Sequence, residues 1–189
     1  MSMKKSGFTL VETLVAIAIM TLAILAPFAA VERVVTASRI AKDNLIAASL
    51  AQEALEYVRF IRDNNYLLHA NDPTSYTSHI LDGLDDSPNC TGSNKCTVDG
   101  VVVPASAIAL CPSGVCAPLR LNTASGFYTQ QTSGNPATIY TRSITIIPNS
   151  TSGITPNTSG DYEKVTATVT WTDHGAQSMI VSENLYDWF

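Results

Sequence analysis

Between Leu14 and Val31 the chain carries no charged side chain. With Phe8 to Val11 before it, that run reaches the about 20 residues that an α-helix needs to cross a bilayer. Lys4 and Lys5 stand just ahead of it. The excess of basic residues on the cytoplasmic side of membrane helices puts that end inside the cell and sends everything after Val31 outward. One carboxylate, Glu12, sits at the start of the block.

Three ordinary segments could look like this, and each fits poorly. A secretory signal peptide would be cut near Ala29–Ala30, placing Pro27 or Phe28 where a small residue is wanted. A plain single-pass anchor leaves Glu12 without a role, although a carboxylate at the bilayer centre costs about 2.5–3.5 kcal/mol on insertion scales. The core helix of a soluble protein shows a polar face, and this run is apolar all round.

The deciding stretch is Lys4-Lys5-Ser6-Gly7-Phe8-Thr9-Leu10-Val11-Glu12-Thr13-Leu14-Val15-Ala16. It resembles the class III signal of type IV prepilins and type II secretion pseudopilins. The resemblance implies a short basic leader (Lys4, Lys5) ending at Gly7. It further implies cleavage after Gly7 by a dedicated aspartyl peptidase, an N-methylated Phe8 as mature N-terminus, and Glu12 as the family's acid, fifth in the mature chain.

Physical chemistry accounts for those residue types. Gly7 has no Cβ, so the backbone can lie extended against a peptidase at the membrane surface. Cleavage creates an α-amine on Phe8. A buried amine needs a counter-charge, which Glu12 of a neighbouring subunit can supply in low-dielectric surroundings and thereby set the axial register.

Helical periodicity continues beyond the membrane block as an amphipathic pattern, with Ala47, Ala48, Ala51, Ala54, Leu55, Val58 and Ile61 at three- and four-residue spacing. Arg33, Arg39, Lys42, Glu53, Glu56, Arg59 and Arg62 occupy much of the remaining circumference. Glu56–Arg59 and Arg59–Asp63 have the spacings that support a helix by a few tenths of a kcal/mol. A helix from about Phe8 to a stop at Asn64-Asn65 would span roughly 85 Å at 1.5 Å per residue. Pro27 removes one hydrogen bond within it and should kink or locally melt it.

The stretch from Asn71 to Gly160 is rich in Ser, Thr, Asn, Gly and Pro and reads as loops with short strands. Stronger strand patterns follow at Ile139–Ile147, Tyr162–Thr172 and Gln177–Ser182, with Asp173-His174-Gly175 as a hairpin turn. The expected fold class is α+β, a long N-terminal helix whose second half packs on a small antiparallel sheet. The expected segments are a leader at 1–7, a membrane and assembly half of the helix at 8–31, and an amphipathic half at 32–64. A loop-rich variable region with four cysteines follows at 65–138, and the sheet of the head at 139–189. Leu50-Ala51-Gln52-Glu53-Ala54-Leu55-Glu56 with Arg59, the Tyr140-x-Arg142-x-Ile144-x-Ile146 strand, and Val169-x-Trp171 with Leu185 and Trp188 are similar to PilV-like minor pilins.

Cys90, Cys96, Cys111 and Cys116 all fall on the outward side, where disulfides form and persist. Three pairings are possible. The turn-forming Thr91-Gly92-Ser93-Asn94 and Pro112-Ser113-Gly114 favour Cys90–Cys96 and Cys111–Cys116. Structural zinc is the rival, but the gaps lie at or beyond the usual two to four residues and no histidine is near. His69, His79 and His174 share no metal-ligand spacing and accompany no nucleophile motif, so they read as surface residues. Asp72 and Asp85-Asp86 form no calcium-loop pattern, and the sequons at Asn89, Asn149 and Asn157 are short enough to arise by chance.

A formal net charge of −5 argues against phosphate binding and hence against direct contact with nucleic acid. No cofactor, metal or catalytic residue is expected. The resemblance implies a structural minor pilin stored in the membrane with a cytoplasmic N-terminus and an extracytoplasmic head. Its partners would be prepilin peptidase, an inner-membrane assembly platform and other pilin subunits, and it would end in a surface or periplasmic filament. A type II secretion or competence pseudopilin shares every N-terminal feature. A membrane-anchored enzyme or receptor ectodomain is the alternative of another class, to be recognised by a concave pocket with converging titratable groups.

Overall fold

One helix, α1, runs over Leu10–Asn71 and carries Pro27 within it. The computed structural model describes residue 7 and residues 9–71, 89–102, 107–149, 162–173 and 175–186. By compactness the chain divides into Met1–Asp43 and Asn44–Phe189. In the first unit every described side chain but Asp43 is exposed, including Leu10, Leu14, Ile17, Met20, Leu22 and Phe28. In the second unit, Ala47, Leu50, Ala51, Ala54, Leu55 and Val58 of α1 are buried. Their three- and four-residue spacing aligns them on one face.

The helix ends seven residues beyond the expected stop at Asn64. Asn64 and Asn65 are poor helix formers by only a few tenths of a kcal/mol, and Tyr66, Leu67, Leu68 and Ala70 follow without glycine or proline, so the ladder runs on to Asn71.

Among the described residues seven strands follow: β1 (Cys96–Val98), β2 (Ile108–Leu110), β3 (Arg120–Leu121), β4 (Tyr128–Thr129), β5 (Thr141–Asn149), β6 (Tyr162–Thr172) and β7 (Ala176–Tyr186). The main sheet has the order β2-β1-β5-β6-β7 with antiparallel pairing throughout. β3 and β4 form a separate ribbon. β5 starts two residues later than the pattern at Ile139 suggested, and β7 is longer than Gln177–Ser182. In β7 the pairing with β6 runs from Thr172↔Ala176 to Tyr162↔Tyr186, so backbone bonds hold the polar residues past Ser182 in the strand. The connecting turn holds Gly175 at φ +133, a value glycine adopts without strain, with the Asp173 N–H donating to the Gly175 carbonyl at 3.2 Å.

Strand alternation sorts β6 cleanly. Val165, Ala167, Val169 and Trp171 are buried, while Lys164, Thr170 and Thr172 are exposed. The inward set joins Ile144, Ile146, Leu185 and the α1 face in one core, which also takes in Val98, Ile108 and Leu119 from the middle of the chain. Each larger aliphatic buried there contributes about 1.5–3 kcal/mol. Three of the six helix residues are alanines, which lets the helix backbone come close to the sheet. The region expected to be loops with short strands supplies β1 and β2 to the same sheet, and Tyr140 packs between Tyr128, met edge-on, and Trp171 at centroid distances of 6.1 and 6.2 Å.

Candidate functional site

The N-terminal segment is built by a cap. Thr9 precedes the helix, and its Oγ1 accepts the Glu12 backbone N–H at 3.3 Å, while its carbonyl accepts the Thr13 N–H at 3.2 Å. Thr9-Leu10-Val11-Glu12 thus has the S/T-x-x-E form of a capping box, with a carboxylate in the first turn where the helix dipole favours negative charge. The sequence reading overlooked this role of Thr9, although the spacing was there to find it. Gly7 lies outside the helix, exposed, with open space where a Cβ would stand. Glu12 is exposed as well.

Beyond the cap, α1 meets the length and hydropathy needed to cross a membrane, and its most apolar window has no buried residue. Leu10 is 75% exposed and Leu22 68%. Large aliphatic side chains left in water at about 1.5–3 kcal/mol each require a cover that this segment does not provide for itself: lipid or other helices.

In the head, charged groups bind helix to sheet. Arg142 on β5 is fully buried. Its Nη1 donates to the Leu50 carbonyl at 3.0 Å and lies 3.1 Å from Glu53 Oε2, and its Nη2 donates to the Val98 carbonyl at 2.7 Å. One guanidinium therefore joins α1, β1 and β5, with Nε making no hydrogen bond among the described residues. Gly100 fits beside this cluster, since a Cβ there would stand 3.2 Å from Glu53 Oε1.

Next to it, the buried Asp99 accepts from Thr129 Oγ1 at 2.7 Å and the Gln130 N–H at 2.8 Å through Oδ2, and from the Val101 N–H at 3.1 Å through Oδ1. Burial, and secondarily the charge of Asp99, push the Tyr57 phenol above its ordinary value. The Tyr57 hydroxyl makes no hydrogen bond among the described residues. Further along α1, Arg59 Nε donates to Glu183 Oε1 on β7 at 2.9 Å and Arg59 also pairs with Glu56. The bond to Glu183 is the main reason the Arg59 guanidinium is held still more firmly protonated than usual.

Comparison with known proteins adds one observation. Residues 2–26 match the prokaryotic N-terminal methylation motif. That match supports a prepilin-type signal, and with it a type IV pilin or pseudopilin in general, processed by prepilin peptidase, assembled with other pilins and structural in kind. Comparison with curated proteins finds no match, and comparison with solved structures finds none either.

The residues singled out from sequence are distributed as follows. Leu50, Glu53 and Arg142, noted on two separate stretches, come together around one guanidinium. Arg59 pairs instead with Glu183 on β7. The cysteines are joined as Cys90–Cys96 and Cys111–Cys116, with Cα–Cα distances of 5.5 and 4.7 Å. No group of metal-ligating side chains occurs among the described residues. Lys4, Lys5 and Phe8, the acidic residues Asp72, Asp85 and Asp86, His79, His174, Asn157 and Trp188 lie outside the described residues, as does the side chain of His69.

Proposed function

We propose that this chain is a minor pilin of a type IV pilus, cleaved between Gly7 and Phe8, N-methylated on Phe8, and inserted into a filament through its N-terminal helix. In this reading α1 holds the subunit in the membrane with its N-terminus in the cytoplasm until an assembly platform extracts it. The observation that carries the reading is the helix start: a glycine junction outside the helix, a Thr9 cap, Glu12 in the first turn, and an uncovered apolar surface behind it. The motif match over residues 2–26 agrees with it.

Glu12 serves here as the partner of a neighbouring subunit's Phe8 amine. An ionisable group at the edge of a lipid-compatible segment is functional by default. Breaking a buried pair by removing one partner costs about 3–5 kcal/mol. Glu12→Ala is therefore expected to leave leader cleavage intact and to lower incorporation into sheared filaments by at least about a hundredfold relative to the membrane pool, with Glu12→Gln slightly less impaired. The mature N-terminus, read by mass spectrometry, should be N-methyl-Phe8. Normal incorporation of both variants would sink the pairing, and an intact Met1 end would return the chain to the plain-anchor reading.

A further inference from the structure

The outward face of β5–β7 has a composition unlike the rest of the chain. Outward residues of β6 and β7 are the even-numbered ones, and the register sets Tyr162 opposite Tyr186, Lys164 opposite Asn184 and Thr166 opposite Ser182. The two tyrosine rings stand 5.2 Å apart at 45°, with Tyr186 47% exposed. Thr166 and Ser182 share a hydroxyl hydrogen bond of 3.0 Å. Glu163 and Glu183 fall on the inner side. Although the chain carries a net charge of −5, the described residues of this face include no carboxylate, and Lys164, exposed and without an ion pair among the described residues, is the cation among them. Successive rows are about 6.8 Å apart along the strands and neighbours across strands about 4.8 Å, the scale of one sugar ring.

We propose that this strip binds an oligosaccharide that contains a carboxylate-bearing sugar. The apolar face of one ring lies on the Tyr162–Tyr186 pair, which offers exposed aromatic surface at little entropic cost. The Lys164 ammonium, one row away, takes the carboxylate. The Asn184 amide and the Thr166 and Ser182 hydroxyls, which both donate and accept, meet the sugar hydroxyls. With no carboxylate among its described residues, the strip offers no counter-charge to cations or basic peptides. A cross-strand tyrosine pair also stabilises a hairpin on its own, so the test needs a readout that packing alone does not move.

The test uses the full chain in a zwitterionic, sugar-free detergent, titrated calorimetrically with tetragalacturonate, cellotetraose and tetraglutamate. Tetragalacturonate should bind saturably with a Kd below about 1 mM and tighter than either of the others by about tenfold or more. Lys164→Gln and Tyr186→Ala should each weaken it by about tenfold, and Tyr186→Phe by no more than about twofold. Lys164→Gln, on an exposed side chain, should leave the unfolding midpoint unchanged, which separates binding from folding if Tyr186→Ala is destabilised. Failure of tetragalacturonate to bind in the millimolar range, or indifference to Lys164→Gln, would overturn the proposal. Equal binding of cellotetraose would overturn the acidic assignment, and equal binding of tetraglutamate would reduce the site to an isolated cation.

Discussion

Replacing Arg142 tests how the head is fastened to its helix. Arg142→Met removes a guanidinium that is fully buried and leaves the Leu50 and Val98 carbonyls and the Glu53 carboxylate to find other partners. A buried acceptor left unpaired costs about 1–3 kcal/mol. Leu50, inside α1, has its second lone pair in the helix ladder and should fall at the low end. Val98, fully enclosed between β2 and β5, should fall near the middle. The Glu53 side chain is 44% exposed and can rehydrate, so its loss contributes no more than about 1 kcal/mol. Methionine recovers part of this, because a buried charge, whose Nε makes no hydrogen bond among the described residues, is no longer desolvated.

The expected net loss is about 2–4 kcal/mol, or roughly 5–15 °C in the midpoint for a unit of this size. Arg142→Lys keeps the charge but cannot fork to both carbonyls, and should lie between wild type and methionine. Glu53→Gln should cost under about 1 kcal/mol, with a coupling to Arg142→Met of similar size. Urea unfolding of the detergent-solubilised chain, followed by tryptophan fluorescence that includes the buried Trp171, measures wild type, the three single variants and the Arg142→Met/Glu53→Gln double variant. An Arg142→Met head as stable as wild type would refute the reasoning. A Glu53→Gln loss as large as that of Arg142→Met would shift the weight from the carbonyls to the ion pair.

Tyr57→Phe should be neutral or stabilising by up to about 1 kcal/mol, because the hydroxyl it removes makes no hydrogen bond among the described residues. Since the folded phenol is raised above the ordinary 10.0, its contribution is fully present below that pH and lost as pH rises past it. Denaturation from about pH 8 to about pH 11 should therefore show a shallower alkaline decline in the phenylalanine variant. Replacing Cys90 and Cys96, or Cys111 and Cys116, by alanine should each cost about 2 kcal/mol from the short loops they close, and alkylation should find no reactive thiol before reduction. Thr9→Ala should lower the stability of the first turn of α1 by about 1 kcal/mol, read as faster amide exchange at Glu12 and Thr13.

Much of this architecture was legible in advance. An uncharged apolar run long enough to cross a membrane, small residues at three- and four-residue spacing after it, and period-two alternation in β6 each point to one element. The stop at Asn64-Asn65 misled because a composition cue worth tenths of a kcal/mol was set against a helix already propagating through good formers. β1 and β2 were not assigned individually, since three-residue strands owe their existence to the neighbour they pair with. Arg142 appeared only as one position of a strand pattern. Its partners are two main-chain carbonyls and a side chain on α1, relations that no linear spacing encodes. The Thr9 cap was legible in the three-residue spacing of its hydroxyl from Glu12.

The sheet order has a consequence for how such a head can diversify. The three long strands from Thr141 onward are consecutive in sequence and pair with one another, whereas β1 and β2 attach at the β5 border, stitched there by the Arg142 bond to the Val98 carbonyl. New sequence inserted at the Gly92–Asn94 or Pro112–Val115 turns would lengthen a border and leave the central pairings in register. The C-terminal meander is in this sense a chassis, and the cysteine-bearing middle an exchangeable payload. Peptide grafts at those two turns should be tolerated where grafts within β6 are not.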